Sequence, residues 1–146
     1  MNTKKVCTLF CLVLVILSMV NTTALAAEPE EKVIDLGDGF YVVETITYSP
    51  MMRSGITTGG SKYDEVYSGS TLIGTATLYA TFDISGSVAR VEKANISGTG
   101  KNGATYSGGK ASGSGNTASG TAYFKYNGVQ KTLRLSLTCT PDGSLS

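Results

Sequence analysis

The chain has 146 residues, with 12 Lys+Arg, 11 Asp+Glu and no histidine. A formal charge of +1 offers no basic footprint for nucleic acid, so no nucleic-acid partner is expected. Without histidine, Ser-His-Asp and Cys-His arrangements cannot be built and the commonest metal ligand is missing, so neither catalytic residues, metal nor cofactor are expected.

In chain order, Lys4 and Lys5 precede an unbroken apolar run, Val6 to Val20, and Ala24-Leu25-Ala26 offers small residues where a signal peptidase reads them. The run is short for a bilayer span, and Glu28, Glu30 and Glu31 follow at once. Residues 1–26 are therefore expected to be a cleaved signal peptide. The remainder reads as a secreted, extracellular domain of about 120 residues with no membrane contact after cleavage. Cleavage leaves ten cationic residues against eleven acidic ones, a net charge of about −1, and Cys139 as the one cysteine. No internal disulfide is then possible, and stability must come from a hydrophobic core. Neither a C-terminal sorting tail nor a second apolar span is present, so free release is expected.

Residues 27–62 read as an acidic leader, an N-terminal hairpin and a flexible connector. In Lys32 to Thr47, two β-branched and aromatic runs flank Gly37-Asp38-Gly39, a turn whose glycines suit positive φ. Ser49 to Lys62 contains Pro50 and three glycines without periodicity, and is expected as a mobile connector.

Residues 63–146 read as the main antiparallel β domain. Along Thr71 to Ser85, Leu72, Gly74, Ala76, Leu78, Ala80, Phe82 and Ile84 alternate with Thr75, Thr77, Tyr79, Thr81 and Asp83. A period of two this long marks a strand with one buried face. Val88 to Ser97 is a weaker returning strand. Between Gly98 and Gly120, eight of 23 residues are glycine, and a short edge strand around Ala104 to Tyr106 followed by a loop is expected.

The last hairpin is the clearest element. Asn127-Gly128 between two β runs is the strongest short hairpin signal, and a two-residue loop pairs residues whose numbers sum to 255. That sets Ala122 opposite Leu133, Gly120 opposite Leu135 and Ala118 opposite Leu137, small against large on one face. Thr121, Tyr123 and Lys125 face Gln130, Thr132 and Arg134 on the other. Lys131, opposite Phe124, is the one exception. No stretch has a helical period, so the fold class is all-β, an antiparallel β-sandwich of Ig-like architecture, with a small barrel as the alternative.

"VIDLGDGFYVVETI", "TLYATFDISGS" and the ending "LSLTCTPDGSLS" together resemble a widespread set of small exported β-rich proteins of Gram-positive bacteria (Firmicutes), over Val33 to Ser146. These motifs describe a fold pattern and not a reaction. The resemblance implies export and a β-rich domain. Relatives with cysteines near the strand that here reads Val88 to Val91 would suggest a disulfide to Cys139, but this chain has no cysteine there.

Several motifs touch on catalysis. "LSLTC" matches part of the cysteine transpeptidase signature, yet that chemistry needs a histidine and a downstream arginine, and Cys139 is in phase with the inward Leu133, Leu135 and Leu137. "ATYSGGKA" falls short of a phosphate loop because Ala111 stands where Ser or Thr must reach Mg²⁺. Ser107 to Lys110 fits Ser-x-x-Lys, but such triplets arise by chance in a Ser/Gly/Lys tract. Of the carboxylates Glu44, Asp64, Glu65, Asp83 and Glu92, a glycosidase would need two across a cleft, and on strands they are expected to face solvent.

The expected function is therefore non-enzymatic binding of a protein or carbohydrate at the cell surface or in the medium. Tyr79, Tyr123, Lys125 and Arg134 are the candidate binding face, with Tyr63 or Tyr67 as a further outward tyrosine suited to sugar stacking or protein contact. A bacteriocin-like antagonist and a small extracellular hydrolase are the alternatives.

Overall fold

The computed structural model describes residues 31–54 and 56–146; the signal-peptide reading of residues 1–26 lies outside them. Eight strands follow in order: β1 (Glu31–Gly37), β2 (Phe40–Ser54), β3 (Thr57–Ser68), β4 (Thr71–Asp83), β5 (Arg90–Gly100), β6 (Thr105–Ser114), β7 (Thr117–Tyr126) and β8 (Val129–Thr138). They form a five-stranded sheet in the order β1-β2-β3-β4-β5 and a three-stranded sheet in the order β6-β7-β8, all antiparallel. The sheets face one another as a sandwich and do not close into a barrel. The two layers are those of immunoglobulin-type sandwiches, but the connectivity is two meanders without a Greek-key crossing.

The turns follow from local chemistry. Asp38 and Gly39 between β1 and β2, and Asn127 and Gly128 between β7 and β8, all take positive φ, as two-residue hairpin loops require. All ten β7–β8 pairs, from Tyr126–Val129 to Thr117–Thr138, follow the register expected from the turn. Ala118, Ala122, Leu133, Leu135, Leu137 and Cys139 all point inward and are buried.

Three expectations are corrected. The Ser49–Lys62 stretch is not a connector: β2 runs to Ser54, β3 starts at Thr57, and both lie in the sheet that carries β4 and β5. The N-terminal hairpin is thus continuous with the strands of 63–146. The Gly-rich segment after Tyr106 is strand and not loop, because β6 continues to Ser114 and turns at Gly115-Asn116. Its glycines leave room for large side chains across the sandwich: a Cβ on Gly109 would fall 2.8 Å from Ile96 Cγ2, and one on Gly113 2.6 Å from Val91 Cβ. Finally, a bulge between Val66 and Tyr67 turns Ile73, and not Leu72, fully inward.

Val42, Val66, Leu78, Phe82, Phe124 and the β8 leucines form the centre of the core. Lys131 takes the inward position that broke the pattern. Its Nζ lies 4.9 Å from the centre of the Phe40 ring, donates to the carbonyls of Leu36 and Gly37, and pairs with Asp38 at 2.7 Å. It thereby ties β8 to the β1–β2 turn. After β8 the chain folds back on itself, Cys139 bridging Leu145, and Leu145 fills the space that Gly60 leaves open on β3.

Candidate functional site

The structure divides the four candidate residues between two surfaces. Tyr79 is on β4, on the outer face of the five-stranded sheet, and is 50 % exposed. Tyr123 and Lys125 are on β7 and Arg134 on β8, on the outer face of the three-stranded sheet. The two faces look away from each other, so Tyr79 does not join the other three.

What Tyr79 joins instead is a tyrosine-rich face. Strand alternation turns Tyr63, Glu65 and Tyr67 of β3 outward, because Asp64 and Val66 point in. Tyr67 pairs across the ladder with Tyr41 of β2, and the two rings stack at 5.0 Å with an interplanar angle of 4°. Tyr63 Oη donates to Glu65 Oε1 at 3.1 Å and Tyr67 Oη donates to Glu65 Oε2 at 2.7 Å. The bond to Glu65 pushes the Tyr67 phenol up to about 12. Burial, and then Glu65, raise that of Tyr63. Both phenols therefore remain neutral hydrogen-bonding groups at any physiological pH.

Further along the same face, Tyr79 stands between its ladder partners Ser61 and Asn95, with Thr81 paired to Lys93 alongside. These residues, with Gly60 and Ala80, line an open cavity of about 220 Å³. Its lining is largely apolar, and Ser61, Thr81, Asn95 and Lys93 among its residues carry hydroxyl, amide and ammonium groups, the mixture typical of small-ligand sites. The part played by Tyr41 was missed in the sequence, although it was readable there: with Val42 turned inward, Tyr41 must turn outward.

The expectation that the carboxylates face solvent fails at two of them. Glu44 and Asp64 are ladder partners and lie on the inner face, at 7 % and 0 % exposure. Lys62, also inward, binds Glu44 at 3.0 Å, whereas neither oxygen of Asp64 has a hydrogen-bond partner among the described residues. Burial, and secondarily the charge of Glu44, push the Asp64 carboxyl up to about 7 against the opposing pull of Lys62. Of the other carboxylates, Glu65 is held by its two tyrosines and Asp83 accepts from the Ser85 amide. Among the described residues no group of three or more Cys, Asp and Glu is placed to hold a metal ion.

Cys139 is a free, fully buried thiol at the end of the inward leucine row, and burial raises its pKa, the opposite of what a nucleophile needs. Comparison with protein-family models, with curated proteins and with solved structures gave no match to this chain.

Proposed function

We propose that the protein is an exported, non-catalytic binding domain that holds a carbohydrate chain at the cell surface on the outer face of its five-stranded sheet. The observation that carries this reading is the cavity beside Tyr79, in which an exposed aromatic ring is flanked by Ser61, Thr81, Lys93 and Asn95. A sugar ring presents an apolar face and a rim of hydroxyls, and a tyrosine with short polar side chains around it complements both. Tyr63, Glu65 and Tyr67 extend the same chemistry along β3, so a chain of several sugar units has contacts beyond the cavity. A protein partner is favoured less, because Val33 and Tyr79, large apolar groups exposed on this face, lie three strands apart and form no continuous patch. The binding reading also agrees with the inward placement of Glu44 and Asp64, the two carboxylates that meet.

Co-sedimentation with cell-wall glycan freed of anionic polymers, and with insoluble β-glucan, tests the reading. Retention of the protein on one of them, reduced at least about tenfold by Tyr79→Ala and unchanged by Tyr123→Ala, is the expected result. A protein that stays in the supernatant with both, or a Tyr79→Ala variant retained as well as the parent, overturns it.

A further inference from the structure

The outer face of the three-stranded sheet carries a second kind of chemistry. Residues 105–138, which span all three strands, contain Lys110, Lys125, Lys131 and Arg134 and not one Asp or Glu. Lys131 is turned inward onto Asp38, leaving three outward cations. Lys110, Lys125 and Arg134 are all exposed, and none makes an ion pair among the described residues. The register sets their arrangement. Lys110 pairs with Thr121 and Thr121 with Arg134, so one row across β6, β7 and β8 reads cation, hydroxyl, cation. Lys125 lies four residues further along β7, with Tyr123 midway.

We infer that this face binds an anionic carbohydrate polymer, separately from the tyrosine face on the other side of the sandwich. Strand spacing puts the backbones at Lys110 and Arg134 about 10 Å apart, within reach of one shared anionic group over Thr121. Lys125 is about 13 Å along the strand from that row, too far to share the same group. Three cations so placed fit a chain with repeating negative charges better than a single phosphate or carboxylate. The ground between them is hydroxyl-rich, Thr121 and the exposed Ser119 on β7 with Tyr123 beside them, and offers hydrogen bonds and one ring to the uncharged parts of a sugar chain. Nucleic acid is a poorer fit: three cations on a nearly neutral chain neutralise few phosphates, and one tyrosine is no stacking platform. The absence of any carboxylate from three consecutive strands makes the face uniformly attractive to polyanions while the whole chain stays near neutrality.

Dextran sulfate and polygalacturonate, with unmodified dextran of equal length, are suitable probes, and their sulfate and carboxylate arms distinguish the anion preferred. Affinity chromatography should retain the purified protein on at least one anionic polymer and not on dextran, with log Kd rising against log salt at a slope of about two to three, one per cation engaged. The triple variant Lys110→Gln, Lys125→Gln, Arg134→Gln should bind about tenfold or more weakly with unchanged thermal unfolding, because all three side chains are exposed. Tyr79→Ala should bind the anionic polymer like the parent, which keeps this inference distinguishable from the proposal for the other face. Retention unaffected by the triple substitution, lack of binding to both anionic polymers, or single-stranded DNA bound as tightly as the sugar polymers would each overturn it.

Discussion

Glu44 and Asp64 face each other across the β2–β3 ladder, and both point into the sandwich. Lys62, one inward position before Asp64 on β3, neutralises Glu44 and leaves Asp64 without a hydrogen-bond partner among the described residues. The ladder neighbour of Asp64 on β4 is Ala76, and that of Glu44 on β1 is the exposed Lys32, so no further buried charge joins the group through the sheet. Burial therefore decides its titration, and the carboxyl keeps its proton up to about pH 7.

The consequence for stability has a definite sign. Between about pH 4 and pH 7 the folded chain holds a proton on Asp64 that the unfolded chain has released. Stability therefore falls as pH rises through that window and levels off above it, by on the order of a few kcal/mol in all. Asp38, Asp83 and Asp142, whose pKa values are lowered, act with the opposite sign but below about pH 4, outside the window. Urea unfolding at pH 5 and pH 8 checks this: the midpoint is higher at pH 5, and Asp64→Asn removes most of the difference. A midpoint that rises from pH 5 to pH 8 would contradict the assignment.

Lys62→Met leaves Glu44 and Asp64 as neighbours in the core without a cation. Breaking a buried pair from one side costs about 3–5 kcal/mol, since the remaining charge has neither water nor partner. The loss should be larger at pH 8, where the parent's Asp64 is charged and Lys62 offsets that charge, than at pH 5, where Asp64 is neutral. Replacing all three residues with Glu44→Leu, Lys62→Met and Asp64→Leu should restore much of the stability and abolish its pH dependence between pH 5 and pH 8. Chemical unfolding of the two variants at both pH values measures each part.

Legibility from sequence tracked how local each cause is. The β7–β8 hairpin was readable in full, since Asn127-Gly128 fixes the turn and the leucine row fixes which face is inside. Lys131 was visible as an exception there, but its reason was not: the carbonyls and carboxylate it binds lie more than 90 residues away in sequence. The Gly-rich segment was misread for the same reason. Composition suggested a loop, whereas the glycines leave room for Tyr106 and Ile96. Tyr63 and Tyr67 are outward as expected, and the alternation that turns them out also turns Lys62 and Asp64 in, against the expectation that charged residues on strands face water. Which outer face each candidate joins depends on sheet order, so the separation of Tyr79 from Tyr123 was not readable locally.

Gly74 gives a test of the close approach between the sheets. The Phe124 ring occupies the space where a side chain at 74 would stand: a Cβ there would fall 2.8 Å from Phe124 Cδ1 and 3.0 Å from the carbonyl oxygen of Thr99. The aromatic ring is buried and the carbonyl belongs to the β5 backbone, so neither can yield cheaply. Gly74→Ala should therefore destabilise by about 1–3 kcal/mol, as overpacking of a filled core does. Pairing it with Phe124→Leu should recover part of the loss. Additive losses in the double variant, measured by thermal unfolding, would mean that the ring is not what the new methyl meets.

Cys139 gives the last test, because its reactivity reports directly on the closure of the core. The thiol is at 0 % exposure, continues the row of Leu133, Leu135 and Leu137, and lies where the C-terminal segment folds back through the Cys139–Leu145 bridge. Its pKa is raised by burial and then by Asp142, so little thiolate forms near neutral pH. In the folded protein a thiol reagent should therefore label Cys139 only through opening of this region, at a rate far below that of the urea-unfolded chain. Leu145→Ala removes the side chain that fills the space above Gly60, at a cost of about 2–4 kcal/mol, and should speed labelling at neutral pH. If labelling of the parent is as fast folded as unfolded, Cys139 is accessible and the inward row ends at Leu137; if Leu145→Ala leaves a slow rate unchanged, the C-terminal segment is not what shields it.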